Sequence, residues 1–200
     1  MYLNTLSLTG ERILAFLLNN LGLEYSIREI AKAIGQDYKI VFSTVKNLAK
    51  EHLVAIKRIS TINRCSVNLK REHAALFAFI SERFAQKKLP VKIRHALRDV
   101  VDSIDNPFYA LLVFGSYAKG TASASSDLDI LFIVDRAEQE KFIEAAVRKA
   151  STLNNLSINP VILTAEEFKD ALREESVAYE AYKKHFVITG GELFYSLIHD

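Results

Sequence analysis

Residues 109–134 read YALLVFGSYAKGTASASSDLDILFIV and contain two apolar runs separated by a polar segment. The first run ends at Gly115 and Ser116, and eleven residues after that serine Asp127 opens the sequence Asp-Leu-Asp at the start of the second run. Successive side chains of a strand point to opposite faces, so Asp127 and Asp129 are expected on one face and Leu128 on the other. The pattern predicts two strands that carry a pair of carboxylates on one wall.

A carboxylate pair of this kind can hold one or two Mg²⁺ ions, which prefer oxygen ligands and complete their shells with water and substrate phosphates. Gly115 ends the preceding strand without a side chain that would block close approach, so backbone N–H groups and the Ser116 hydroxyl can meet phosphate oxygens. An Asp-x-Asp sequence alone is commonly a pair of solvated acidic residues at a strand end, and a Gly-Ser sequence alone is commonly a turn. The two features in register between apolar runs indicate a metal and triphosphate site.

The segment also matches the pattern G-S-x-A-x-G-x5-S-D-x-D, and it therefore resembles the minimal nucleotidyltransferases of the DNA polymerase β superfamily. The resemblance implies an α/β (α+β) domain with a small mixed sheet, and transfer of a nucleoside monophosphate from an NTP to a hydroxyl with release of pyrophosphate. It implies catalytic and metal-ligating roles for Asp127 and Asp129 with Mg²⁺ or Mn²⁺, and cofactor-binding roles for Gly115, Ser116, Lys119 and Ser126. Lys119 is interpreted either as a phosphate contact or as a solvated loop lysine.

The chain departs from the family pattern at Asn159. The family usually places a third carboxylate on a later strand, where it binds the catalytic metal and helps to deprotonate the attacking hydroxyl. Aligning the apolar run at residues 157–164 with that strand puts Asn159 there, and an amide can coordinate a metal but cannot act as a base near neutral pH. Asn159 is therefore predicted to be a metal ligand without base function. Glu166 and Glu167 are alternative third carboxylates, although Thr164 to Glu167 also fits a capping box.

The first third of the chain has a different pattern and a different charge. Residues 1–70 hold ten basic and five acidic side chains, whereas the whole chain has a net charge of +2. Helix, helix, turn, helix and hairpin follow in that order, with the third helix from about Asp37 to Glu51, and this order resembles a winged helix-turn-helix. DNA-binding residues are predicted on the third helix and on the wing: Lys39, Ser43, Lys46, Asn47, Lys50, Lys57, Arg58 and Arg64. The alternative is a module that contacts protein.

These patterns divide the chain into a winged helix-turn-helix at residues 1–70, a helical connector at residues 71–104 and a nucleotidyltransferase domain at residues 105–200. The two connector helices could also form a dimer contact or the first helix of the transferase core. Cys65 is the single cysteine, so an intrachain disulfide is excluded, and the five histidines show no zinc-binding spacing. No apolar run reaches the length of a membrane span and no signal peptide is apparent, so a cytoplasmic location is expected.

The predicted function is Mg²⁺-dependent nucleotidyl transfer coupled to binding of duplex DNA. The acceptor (protein, RNA or small molecule) and a homodimer are left open. The main alternative is a DNA-binding transcriptional regulator, or an antitoxin-like protein, whose nucleotidyltransferase domain senses nucleotide with little or no catalysis; Asn159 favours it. A purely structural interaction protein is a third interpretation, which the intact aspartate pair disfavours.

Overall fold

The computed structural model describes residues 6–105 and 108–199 of the chain. The helices are α1 (Leu8–Leu18), α2 (Ile27–Ile34), α3 (Tyr38–Lys50), α4 (Ala74–Lys88), α5 (Val91–Asp102), α6 (Gly115–Lys119), α7 (Glu140–Asn154), α8 (Ala165–Ala171), α9 (Val177–Lys183) and α10 (Gly191–Leu197). The strands are β1 (Tyr25–Ser26), β2 (Val54–Ile59), β3 (Ile62–Val67), β4 (Tyr109–Val113), β5 (Leu128–Val134), β6 (Ile158–Thr164) and β7 (Phe186–Thr189).

Residues 6–70, called the N-terminal module here, combine three helices with a small antiparallel sheet of order β1-β3-β2. The Ser26 hydroxyl accepts a hydrogen bond from the Glu29 N–H, and the Glu29 carboxylate accepts one from the Ser26 N–H, which completes the capping box of α2. Gly35 ends α2 in the left-handed region at φ +60°, and the Asp37 carboxylate caps α3. These caps fix a short turn between α2 and α3.

The second sheet has the order β6-β5-β4-β7 and is mixed, as the family resemblance implies. Strand β4 runs antiparallel to both β5 and β7, whereas β5 and β6 are parallel and are joined by the crossover helix α7. Leu111, Val113, Ile130 and Phe132 belong to the buried cluster that includes α5 and α7. Side chains of the opposite parity, such as Leu131, face the other way.

The second face of this sheet shares one continuous hydrophobic core with the N-terminal module. Leu112 and Leu131 of the sheet, Phe77 of α4 and Leu17 of α1 all belong to that core, and each is at most 1% exposed. Helix α4 also packs against β7 and α10. The segment predicted as a connector therefore contributes to the packing of both parts of the chain.

Polar groups also join the two parts at a seam formed by Asn19 and Asn20, after α1, and by Lys184 and His185, before β7. The Asn19 side-chain amide donates to the His185 carbonyl, the His185 N–H donates to the Asn19 carbonyl at 3.4 Å, and Lys184 Nζ donates to Asn20 Oδ1 at 2.5 Å. Asn19, Asn20 and His185 are at most 9% exposed. Burial lowers the pKa of His185 to about 4, which keeps the imidazole neutral near pH 7.

Local structure differs from the sequence prediction in two segments of the C-terminal half. The sequence from Ala165 to about His185 predicts helix, and the structure divides this segment into α8 and α9, because the Ser176 hydroxyl donates to the Ala171 carbonyl at 2.7 Å and caps α9 by accepting from the Tyr179 N–H at 3.1 Å. Likewise, the segment after β4 is the short helix α6, which begins at Gly115 itself.

Among the helices in residues 6–105 and 108–199, none combines the length and the apolar character needed to cross a bilayer.

Candidate active site

Two neighbouring strands bring Asp127, Asp129 and Asn159 together at one end of the second sheet. Asp127 directly precedes β5, Asp129 is the second residue of β5, and Asn159 lies opposite Asp129 in the parallel register of β6. Asn159 Nδ2 lies 3.4 Å from both Asp127 Oδ2 and Asp129 Oδ1, so the amide donates to both carboxylates. The three side chains therefore lie together on one face of the sheet, and the surface around them is called the cleft below.

Gly115 lies directly against the Asp129 side chain. The N–H of the preceding Phe114 donates to the Asp129 carbonyl at 3.0 Å, which holds the start of α6 against β5. Gly115 has φ +64°, and a Cβ atom placed on it would lie 2.1 Å from Asp129 Oδ2. A residue other than glycine would both strain the backbone and displace the carboxylate.

Ser126 shapes the loop that leads into the aspartate pair. Its hydroxyl accepts a hydrogen bond from the Ser123 N–H at 2.8 Å, and its own N–H donates to the Ser123 carbonyl at 3.1 Å. These bonds close a tight turn immediately before Asp127. The hydroxyl of Ser126 is thus engaged in loop structure beside the aspartate pair.

Lys119, at the end of α6, is held by an acid that the motif does not contain. Lys119 Nζ lies 3.1 Å from Glu180 Oε2 on α9, and both side chains are at least half exposed. Glu180 could not be predicted as its partner, because Glu180 lies 61 positions away from Lys119, outside the motif. The ion pair links the helix that begins at Gly115 to α9.

The alternative third carboxylates do not join the aspartate pair. The Glu167 carboxylate accepts from the Thr164 N–H at 2.8 Å and from the Thr164 hydroxyl at 2.9 Å, so the capping box is formed, and these bonds lower the pKa of Glu167. Glu166 is exposed on α8. Within residues 6–105 and 108–199, no group of three His, Cys, Asp or Glu side chains is placed to hold a metal ion.

The side chains of Asp127, Asp129 and Asn159 nevertheless fit a divalent cation. Two adjacent carboxylates provide hard oxygen ligands, and over the described part of the chain neither Asp127 nor Asp129 forms an ion pair with a basic side chain. The amide of Asn159 presents its nitrogen to them, and rotation of the amide by half a turn would present its oxygen instead. The site can accept a metal with two carboxylates and one amide.

The residues predicted to bind DNA lie on one helix and one hairpin of the N-terminal module. Those of α3 (Lys39, Ser43, Lys46, Asn47, Lys50) and of β2 (Lys57, Arg58) are exposed. Lys46 Nζ lies 4.5 Å from the centre of the Phe42 ring, and the Ser43 hydroxyl donates to the Ile40 carbonyl. Arg64 differs, since its guanidinium pairs with Glu29 at 2.8 Å and faces α2 from the middle of the sheet.

Two comparisons with known proteins found a match. A solved structure described as "Crystal structure of the toxin-antitoxin with AMP-PNP" is 16% identical and aligns with a TM-score of 0.39, covering 54% of this chain and 82% of that chain. No curated protein matches the chain. The family described as "Nucleotidyltransferase domain" matches residues 95–185, just under half of the chain. The region that holds Gly115, Asp127, Asp129 and Asn159 is therefore similar to the nucleotidyltransferase domain family.

Proposed function

We propose that this protein is a Mg²⁺-dependent nucleotidyltransferase whose N-terminal module is a winged helix-turn-helix that binds duplex DNA. The observation that carries the enzymatic part is the cleft in which Asp127 and Asp129 face Asn159 and Asp129 lies against Gly115, within a region that matches the nucleotidyltransferase family. Among the described residues this acidic pair has no basic partner, and such a pair suits a metal-bound triphosphate.

In the proposed reaction, the acceptor hydroxyl oxygen bonds to the α-phosphorus of the NTP while the bond from that phosphorus to the pyrophosphate oxygen breaks. Asp127 and Asp129 would hold Mg²⁺ and Asn159 would complete the protein ligands. When bound, Mg²⁺ would neutralise the charge that develops on the phosphates. The lack of a side chain at Gly115 lets the Asp129 carboxylate keep its position in the site. The acceptor proton must pass to a group other than the Asn159 amide, which cannot take it near neutral pH.

A second candidate function is nucleotide sensing by a DNA-binding regulator with little catalysis. The observation that favours it is the position of Asn159 opposite Asp129, together with the lack of a third acidic or histidine ligand within the described ranges. Under this alternative the cleft binds Mg²⁺ and NTP but lacks an efficient base.

An assay with labelled nucleotides separates the two candidates. Incubating the full chain with each α-labelled NTP, Mg²⁺ or Mn²⁺, and host lysate is expected to transfer label to a discrete acceptor with release of pyrophosphate. A variant with Asp129→Asn is the control and should transfer none. If wild type binds NTP with Mg²⁺ but labels nothing above this control, the sensor function replaces the transferase.

Substituting Glu180 by Gln should raise the affinity for Mg²⁺-NTP if Lys119 contacts phosphate. The substitution removes the carboxylate that now holds Lys119 Nζ, and exposed ion pairs are worth up to about 1 kcal/mol, so the expected gain is at most about fivefold. Calorimetry with and without Lys119→Gln measures it, because Glu180→Gln should have no effect in that background. Glu174→Gln, also exposed, is the control. An unchanged affinity in both backgrounds would assign Lys119 to a solvated loop role.

The DNA-binding part of the proposal rests on the N-terminal module. The short turn between α2 and α3, the β2–β3 hairpin and the exposed basic residues of α3 and β2 support a third helix in the major groove with the hairpin beside the phosphates. Arg64 is the weakest candidate contact, since Glu29 already neutralises it.

Reversing two of these charges, by Lys46→Glu together with Arg58→Glu, should weaken binding of mixed-sequence duplex DNA. Two lost phosphate contacts should flatten the log–log salt dependence by about two units. Fluorescence anisotropy on the full chain across a salt series measures the slope, and Lys169→Glu with Arg173→Glu on the opposite half of the chain is the charge-matched control. Equal slopes for the two double variants would leave the module as a protein-contact domain.

A further inference from the structure

An exposed aromatic side chain stands beside a large cavity on the sheet face that is remote from the cleft. Phe142 of α7 is 75% exposed, more than any other large hydrophobic residue described. It borders a cavity of about 730 Å³ between α7 and the end of α5, whose apolar lining includes Ile104, Ile143, Ala145 and Ala146. A dry cavity of about 150 Å³ is enough to bind benzene, so this one has room for a phenyl ring.

Four residues that line the cavity, called the stripe here, are spaced symmetrically along the chain. Glu138, Phe142, Ala145 and Lys149 all line it, and they are separated by four, three and four residues along the chain. Phe142, Ala145 and Lys149 lie on one face of α7, and Glu138 lies in the 3-10 turn at Ala137–Gln139, directly before that helix. If the stripes of two copies pack antiparallel, Phe142 of one copy would lie opposite Ala145 of the other. Glu138 of one copy would lie opposite Lys149 of the other. A large ring would thus face a small side chain, and an acid would face a base.

The charges around the cavity favour a second copy of the chain over nucleic acid or an acidic peptide. Asp105 and Glu138 are balanced by Arg136 and Lys149. A balanced rim offers no net attraction to nucleic acid or to an acidic peptide, whereas it complements an inverted copy of itself. In a two-fold dimer the same patch serves on both subunits, so each residue pair occurs twice.

We propose that this stripe is a homodimer interface in which the Phe142 side chain of each copy enters the cavity of the other, with Glu138 opposite Lys149. Helix α7 covers the face of the sheet that belongs to the α5 and α7 core, whereas Asp127 and Asp129 have the parity of the other face. The dimer would therefore leave both clefts open. This inference does not depend on the proposed function.

Sedimentation equilibrium of the full chain tests the interface. Wild type is expected to dimerise, and Phe142→Glu should raise the dissociation constant by about a hundredfold or more, since two buried aromatic anchors are lost per dimer. Phe79→Glu is the matched control, because Phe79 is an exposed aromatic residue on α4. A wild type that stays monomeric at about 100 µM, or a Phe79→Glu variant that loses the dimer equally, would overturn the interface.

A charge exchange tests the register. Glu138→Lys alone and Lys149→Glu alone should each weaken self-association, because each places like charges opposite one another at two positions. A mixture of the two variants should restore association as a heterodimer, because one chain then carries two bases in the stripe and the other carries two acids. Each base of the first chain would face an acid of the second. Failure of the mixture to associate more tightly than either variant alone would overturn the antiparallel pairing.

Discussion

Asp127→Asn combined with Asp129→Asn is expected to abolish Mg²⁺-dependent binding of NTP while leaving the fold intact. Both carboxylates lie at the open end of the sheet rather than in the core, and neither forms an ion pair with a described residue, so their replacement removes metal ligands without breaking packing. The expected loss of affinity is at least about a hundredfold, since both carboxylate ligands proposed for the metal are removed together.

Calorimetric titration with each NTP, with and without Mg²⁺, measures this loss, and circular dichroism reports the fold. Asp135→Asn with Asp170→Asn removes the same charge from exposed positions elsewhere and should bind as wild type does. Equal affinity of wild type and the Asp127, Asp129 variant in Mg²⁺ would remove the metal site from the proposal.

Asn159→Asp is expected to raise the rate of nucleotidyl transfer by about 10² to 10⁴, the range typical of a positioned general base. The new carboxylate would stand opposite Asp129, where the family pattern has one. It would also replace a side chain that donates to both aspartates by one that repels them. The variant should therefore melt at a lower temperature than wild type without Mg²⁺, and recover more stability than wild type when Mg²⁺ is added.

Single-turnover kinetics and melting curves with and without Mg²⁺ report the two effects separately. Asn159→Ala is the control that removes the amide without supplying a base, and it should not accelerate transfer. A brisk wild-type rate that Asn159→Asp slows would show that another residue takes the acceptor proton.

Part of the geometry of the candidate site could be predicted from the sequence, because it depends only on residues that are close together in the chain. Alternation along β5 is a property of every strand, so the common face of Asp127 and Asp129 needs no tertiary information. The same holds for the capping boxes of α2 and α8, whose partners are three residues apart. The mixed sheet was predicted from the resemblance, because periodicity does not determine which strands pair.

Contacts between distant residues could not be predicted from the sequence. The pairing of Lys119 with Glu180, and of Arg64 with Glu29, depends on how helices and strands pack. The break between α8 and α9 was missed for another reason: Ser176 acts there as a cap, and serine inside a helical pattern is ambiguous until its hydrogen bonds are known. Residues 71–104 show apolar stripes that fit a connector, a dimer contact or a core helix equally well.

The seam of Asn19 and Asn20 with Lys184 and His185 has a consequence for how the two parts of the chain move. Apolar surfaces tolerate small displacements, but directional hydrogen bonds between buried groups hold at one register, and breaking them without water leaves polar atoms unsatisfied. Hinge motion between the N-terminal module and the cleft is thus disfavoured. If the N-terminal module binds a ligand, that ligand would therefore keep a fixed orientation relative to Asp127 and Asp129.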